Sequence, residues 1–158
     1  MVQHDRIAEF LPRLRRYARA LSTSSEGADR LLRATLERVG EKLSSAAEPP
    51  DLRVWLFGQM HQTYMRSAAL NELQGDEEAV VPDDDATPRH AFEQAIRAIP
   101  ADKREVFLLV TLEDLTYEEV ARALDIPIGT VMSRLSRARE KLRLKLMSEA
   151  RLRMVRRL

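Results

Sequence analysis

The amino-acid sequence predicts an all-α protein made of two small helical domains joined by a flexible acidic linker. Apolar residues recur every three or four positions in seven separate stretches, which is the period of an amphipathic helix. The chain has only five glycines and few β-branched clusters, which disfavours a sheet protein. Between the third and fourth stretches, residues 74–88 carry six acidic side chains and no basic one. Such a segment cannot bury enough apolar surface to offset its ordering entropy.

Composition restricts the class of protein further. The 158 residues are enough for one medium domain or two small ones, and there is no cysteine for a disulfide or a thiolate metal site. No apolar run approaches the roughly 20 residues needed to cross a bilayer, and the first residues lack the apolar core of a secretion signal. We therefore expect a cytoplasmic protein. The histidines at positions 4, 61 and 90 lack ligand spacing, so no metal, cofactor or catalytic role is expected.

The first domain, residues 1–73, is predicted to contain three helices. In the first, apolar residues recur from Ile7 to Leu21, and Pro12 either kinks the helix or marks its start. Thr23 and Glu26 have the spacing of a capping box, which would begin the second helix. After a proline pair, the third helix is expected to open at residue 51 and to run through residue 64. Within it, Trp55, Leu56 and Phe57 continue an apolar stripe, and we interpret them as core rather than as a base-stacking platform.

The second domain, residues 89–158, is predicted to contain four helices. Two lie near residues 89–99 and 102–113, separated by a proline. Thr116 and Glu119 form another capping box, and the proline at 127 ends that short helix. Residues 129 and 130 then open a last helix with the inward stripe Val131, Leu135, Ala138 and Leu142.

The last helix is strongly basic. Residues 127–158 contain ten Lys or Arg against two acids, an excess of +8 in a chain whose total charge is +1. A short helix, a tight turn and a longer basic helix fit a DNA-binding helix-turn-helix, in which local cations attract phosphates. The alternative is a helical hairpin with a solvated Arg-rich face.

These parts resemble an extracytoplasmic-function sigma factor of bacterial RNA polymerase, in particular the alphaproteobacterial general-stress-response subgroup. Residues 99–109 (IPADKREVFLL), 115–121 (LTYEEVA) and 127–139 (PIGTVMSRLSRAR) are similar to that family's promoter-binding fourth domain. Residues 11–21 (LPRLRRYARAL) are similar to the opening of its second domain. The resemblance implies that the first domain binds the polymerase core and the minus-10 element, and that the second binds the minus-35 element.

The resemblance also implies site residues in the first domain. Docking on the clamp helices of the largest polymerase subunit would involve Asp29, Leu32 and Leu36, although the family's paired acid is here Asp29 followed by a basic Arg30. Contact with the minus-10 element would involve Gln62, Tyr64 and Arg66. The family's basic run beyond that point is replaced by residues 68–72 (AALNE).

In the second domain, the helix-turn-helix places the start of its second helix in the major groove. We expect Arg137 to chelate a guanine, with Met132, Ser133 and Ser136 beside it at the base edges. Phosphate contacts are expected from Thr130, Arg134, Arg139 and Lys141. For Arg134 and Arg139 the alternative is an ion pair with Glu118, Glu119 or Glu140.

The leading hypothesis is a sigma factor, monomeric when free, that brings RNA polymerase core to promoter DNA in a stress response. The resemblance implies contacts with the clamp helices and flap of the polymerase, and control by an anti-sigma factor. Two alternatives remain open at this point. One is a sigma-like decoy that titrates an anti-sigma factor, and the other is a stand-alone DNA-binding regulator, which would be expected to dimerise.

Overall fold

The computed structural model describes residues 2–22, 24–74 and 87–157, with side chains described from residue 5 and omitted for 71–74. Within those ranges all regular structure is helical, so the predicted all-α class is confirmed. The helices are α1 (Val2–Leu21), α2 (Ser25–Ser45), α3 (Leu52–Gln74), α4 (Pro88–Arg97), α5 (Ala101–Thr111), α6 (Tyr117–Leu124) and α7 (Ile128–Arg156). No described helix is both long and apolar enough to cross a membrane.

Helices α2 and α3 each begin at a side chain that accepts a hydrogen bond from a free N–H group of the first turn. Helix α1 runs through Pro12 rather than starting there. Helix α2 is capped by Ser24, whose Oγ accepts a 3.0 Å hydrogen bond from the Gly27 N–H. The predicted cap at Thr23 lies outside the described residues. Helix α3 starts after Asp51, whose carboxylate accepts from the Val54 N–H at 3.1 Å.

The core of α1–α3 is apolar and aromatic. Tyr17 and Phe57 are buried edge to face, with ring centroids 5.3 Å apart. Leu56 is also fully buried, and Trp55 is partly buried, which confirms the prediction that this stripe is core. Burial raises the pKa of the Tyr17 hydroxyl well above its ordinary value, so the phenol stays neutral.

The helix-turn-helix forms as predicted. Thr116 and Glu119 make both hydrogen bonds of a capping box at the start of α6. Asp125 ends α6 in the left-handed conformation, with φ of 52°. Val131, Leu135 and Ala138 of α7 are buried, and Leu142 is partly buried. Helix α7 continues through the basic C-terminal residues to Arg156 as a single helix.

The two predicted domains pack against each other. Helix α3 contacts α6 extensively, and α1 contacts α5 and α4. One buried apolar cluster includes residues from both halves, for example Leu56 in α3 and Val120 in α6. The predicted linker, residues 74–88, falls almost entirely on residues 75–86, which lie outside the described part of the chain.

Candidate nucleic-acid interface

The outer face at the start of α7 carries the predicted base-reading residues. Because successive helical residues are rotated by about 100°, the inward stripe leaves Met132, Ser133, Ser136 and Arg137 pointing to solvent. Met132 is 53% exposed, and the other three are exposed as well. The Ser133 hydroxyl donates to the Thr130 carbonyl oxygen at 3.1 Å. The structure therefore brings these four side chains together on one accessible face.

The cations around this face fall into two groups. Arg137, Arg139 and Lys141 are exposed, and none makes a hydrogen bond or ion pair with the described residues. Arg134 is only 28% exposed and lies 3.7 Å from the Asp102 carboxylate on α5. The sequence analysis named Glu118, Glu119 and Glu140 as alternative partners of Arg134 and did not include Asp102. Thr130 is half-buried at the edge of the face.

Glu140 pairs with Arg143 rather than with Arg134 or Arg139. Its carboxylate accepts two hydrogen bonds from Arg143, at 2.7 and 3.1 Å, and these bonds lower the pKa of Glu140 below its ordinary value. Arg139 is thereby left to solvent. Arg139 and Arg143 line an open cleft of about 360 Å³ between α6 and α7, together with Tyr117, Met132 and Ser136.

The predicted polymerase-docking residues are not equally accessible. Asp29 is exposed on α2. Leu36 is partly buried and lines a largely apolar groove of about 500 Å³ between α1 and α2, with Ile7 and Leu43. Leu32 is only 8% exposed. Its position on α2 turns the Leu32 side chain into the core of the folded chain, so Asp29 and Leu36 are the more accessible of the three.

The predicted minus-10 residues lie along α3. Gln62 and Arg66 are exposed, and Tyr64 is partly buried. The Gln62 side-chain oxygen accepts a hydrogen bond from Arg38 of α2, which also donates to Gln59 at 3.1 Å.

Arg38 belongs to a cationic cluster that the sequence analysis missed, composed of Arg38, Lys42 and Arg66. The pKa of Lys42 lies below its ordinary value. Desolvation is the largest cause, and repulsion from Arg38 and Arg66 adds to it. The i,i+4 spacing of Arg38 and Lys42 was the available signal.

A buried carboxylate joins the two halves. Glu113, just after α5, is 0% exposed. Arg13 donates to its carboxylate at 2.8 Å and to its backbone carbonyl at 2.7 Å. Arg16 donates to the carboxylate at 3.1 Å and to the Leu112 carbonyl at 3.0 Å. We call this arrangement of Arg13, Arg16 and Glu113 the Glu113 clamp.

A second contact, which we call the seam, joins α3 and α6 through Arg53, Gly58, Glu119 and Ala123. Arg53 donates to Glu119 at 2.6 Å. A Cβ atom on Gly58 would lie 3.0 Å from the Ala123 carbonyl oxygen, so the absence of a side chain allows the two backbones to approach. Further along α3, His61 meets the buried Glu105 carboxylate of α5 at 2.9 Å.

Glu119 has two roles at the seam. One carboxylate oxygen accepts from the Thr116 N–H at 2.8 Å, and the other accepts from Arg53. The pKa of Glu119 lies below its ordinary value. The hydrogen bond from the Thr116 N–H is the largest cause, and the interaction with Arg53 adds to it, while burial acts in the opposite direction. Folding therefore favours the ionised form of this side chain.

Replacing Glu119 with glutamine is expected to lower the free energy of unfolding by about 1 kcal/mol at pH 7. Glutamine can still cap the helix, so the loss is the extra strength of hydrogen bonds to a charged group. Because the folded-state pKa is depressed, this stabilisation is present above the ordinary glutamate pKa of about 4.3 and is lost as the pH falls through the folded value. Urea titrations of both proteins at several pH values should show the difference shrinking in acid. A difference that does not depend on pH would contradict this account.

Comparison with known proteins finds similarity in both halves of the chain. Residues 89–142 match the sequence family described as Sigma-70, region 4, and residues 7–61 match the Sigma2 domain of PhyR. The chain is 29% identical over 147 residues to the ECF RNA polymerase sigma factor EcfG of Rhodopseudomonas palustris, covering 87% of the chain and 81% of that relative. It is 38% identical over 72 residues to the RNA polymerase sigma-H factor of Pseudomonas aeruginosa, covering 46% of the chain and 36% of that relative.

Solved structures extend the similarity to the fold. The sigma factor RpoE in complex with the anti-sigma factor NepR from Bartonella quintana superposes with a TM-score of 0.72 at 28% identity, covering 90% of this chain and 97% of RpoE. The PhyRSL–NepR complex from Sphingomonas sp. Fr1 gives a TM-score of 0.69 at 23% identity, covering 92% of this chain and 90% of that one. The second comparison concerns the fold alone.

Proposed function

Since the chain belongs to the extracytoplasmic-function group of the sigma-70 family, we propose that it directs bacterial RNA polymerase core to a subset of promoters. The observation that carries the proposal is the exposed start of α7, where Arg137, Arg139 and Lys141 have no partner among the described residues. Unpaired cations beside small polar side chains on a helix-turn-helix are what major-groove binding requires. The cytoplasm, where the chromosome is transcribed, is the proposed place of action.

In this proposal α7 recognises the minus-35 element. Arg137 donates two parallel hydrogen bonds to a guanine, and Met132 makes apolar contact with a neighbouring base. Arg139 and Lys141 bind phosphates and set the register of the helix. Arg134 contributes less than its position in the sequence indicates, because Asp102 already partly neutralises it.

The first half is proposed to bind the polymerase core and the minus-10 element. The exposed Asp29 and the apolar groove beside Leu36 offer a charged and an apolar contact for the polymerase clamp. Arg38, Lys42 and Arg66 offer cations to a DNA backbone near Gln62 and Tyr64. This cluster supports promoter binding by the first half despite the missing basic run at residues 68–72.

An anti-sigma factor is the proposed regulator, since the similar RpoE was solved in complex with the anti-sigma factor NepR. A general stress response is the proposed setting.

Run-off transcription with purified core polymerase and a pool of promoter fragments tests the proposal. Transcripts from a subset of the pool, absent when the chain is omitted, are the expected result. Absence of both transcription and core binding would overturn the proposal. Capture of a small anti-sigma protein from extract, with no polymerase subunits and no transcription, would instead identify a sigma-like decoy.

A further inference from the structure

We propose that residues 143–157, which we call the distal segment of α7, bind the surface of a lipid bilayer that carries anionic headgroups. This segment lies beyond the part of the chain that matches Sigma-70, region 4, because that match ends at residue 142. The buried residues of α7 also end before it, at Ala138. The core of the helix-turn-helix therefore does not account for the composition of the distal segment.

Exposed apolar side chains follow one side of the distal segment. Leu144 is 54% exposed, Met147 44%, Met154 71% and Val155 68%. With about 100° of rotation per residue, these four lie within an arc of about 100°. The arc is centred opposite Leu142, which packs against the core. Single apolar residues are common on protein surfaces, whereas an aligned set of this kind marks a contact surface.

The same segment is strongly basic. It contains six Lys or Arg against one acid, Glu149. Arg151, Arg156 and Arg157 are exposed and make no hydrogen bond or ion pair with the described residues. Long arginine side chains can lay their methylene groups along an apolar surface while the guanidinium reaches a phosphate. Apolar contact and free positive charge are therefore available together.

The partner has to be both apolar and anionic. Duplex DNA would pair with the cations but would leave the four apolar side chains in water. A second copy of the chain would cover the apolar side chains but would bring two strongly basic segments together. An anionic bilayer presents phosphates above acyl chains, which suits both features of a basic amphipathic helix. Because no described helix is long and apolar enough to cross a membrane, the distal segment would lie in the plane of the headgroups.

Bilayer binding would use the side of α7 that the proposed function assigns to DNA. Arg137 and Val155 are 18 residues apart, which is about five helical turns, so they lie on the same side of the helix. Helix α7 is continuous between them. A chain lying on a bilayer therefore turns its base-reading side toward the lipid, and we expect lipid and promoter DNA to exclude each other. This consequence rests on the proposed function, whereas bilayer binding itself does not.

Vesicle flotation of the purified chain tests the proposal. Vesicles of phosphatidylcholine and phosphatidylglycerol in equal parts should carry the chain upward in a density gradient, and vesicles of phosphatidylcholine alone should not. Leu144→Gln with Met154→Gln keeps every charge and should weaken binding by about tenfold, because apolar contact is lost. Arg151→Gln with Arg157→Gln should also weaken binding by about tenfold, and added salt should weaken binding of the unaltered chain.

Met65→Gln with Leu70→Gln is the matched control for the apolar variant. These side chains lie on α3 and are 53% and 55% exposed, so the control removes the same kind of surface from a different helix. Its binding to anionic vesicles should equal that of the unaltered chain. All the substituted positions are exposed, and circular dichroism should show the same helix content in every variant.

Val155→Trp provides a second measurement that keeps the apolar surface. The unaltered chain has one tryptophan, Trp55, which is partly buried in the first half. Emission from the added tryptophan should shift to shorter wavelength with anionic vesicles, because an indole at the bilayer interface leaves water. A duplex fragment should cause no such shift, since phosphate contacts do not remove the side chain from water.

Each outcome separates bilayer binding from its alternatives. Equal vesicle binding by the unaltered chain and the Leu144→Gln, Met154→Gln variant would overturn the proposal, as would the absence of an emission shift. A dimer that dissociates in that variant, with no vesicle binding, would make this side of α7 an interface between copies. Failure of promoter duplex to release the chain from vesicles would overturn only the exclusion of DNA. Absence of run-off transcription would count against the proposed function and leave bilayer binding intact.

Discussion

Replacing Arg13 and Arg16 together with alanine is expected to lower the free energy of unfolding by about 3 kcal/mol. The double variant leaves the Glu113 carboxylate, which is 0% exposed, without either of its cations. Removing the partner of a buried charge typically costs about 3–5 kcal/mol. We expect the lower end of that range, because truncating two partly exposed arginines lets water approach Glu113. Urea denaturation followed by circular dichroism measures the change.

Arg15→Ala with Arg19→Ala is the matched control for that experiment. These arginines lie exposed on the same helix, make no hydrogen bond or ion pair within the described residues, and carry the same total charge. Their removal should change the free energy of unfolding by about 0.5 kcal/mol or less for each substitution. A loss in the control equal to that in the clamp variant would show that net charge, and not the Glu113 contact, is responsible.

Arg137→Ala is expected to reduce discrimination between promoters by about 1–3 kcal/mol, or roughly 5- to 150-fold, at one base pair of the minus-35 element. The arginine is exposed at the start of α7 and free to donate two parallel bonds to guanine, which alanine cannot do. Lys141→Ala should instead weaken binding evenly across sequences and lower the salt slope by about one. Binding titrations on single-base variants of a promoter fragment, at several salt concentrations, distinguish the two effects.

The lysine variant is the internal control for the arginine variant, because each removes one positive charge from the same exposed helix. Identical selectivity profiles for the two variants would contradict the assignment of Arg137 to the base edges. They would leave α7 as a helix that binds only phosphates.

Elements with local signals could be predicted from the sequence. The Thr116–Glu119 capping box, the proline that follows α6 and the inward stripe of α7 each depend on residues within a few positions of one another. Their hydrogen bonds and packing are determined by helix periodicity, so the helix-turn-helix emerged correctly. The apolar interpretation of Leu56 and Phe57 succeeded for the same reason.

Contacts between distant residues could not be predicted. Arg13 and Glu113 are 100 positions apart, and an acid just after a helix, here followed by Asp114, has no local feature that distinguishes it from a surface residue. The partner of Arg134 was missed because Asp102 lies on α5, and no local pattern indicates that the first turn of α5 packs beside α7. Leu32 was assigned to a contact surface from resemblance alone, and burial depends on how α2 is rotated against its neighbours.

The two oxygens of Glu119 connect local order with the separation of the halves. One oxygen orders the first turn of α6 through the Thr116 N–H, and the other is held by Arg53 across the seam. Loss of Arg53 would leave this carboxylate freer to move and would loosen the turn that it caps. We therefore expect the Thr116 amide proton to exchange faster with deuterated solvent when α3 and α6 separate.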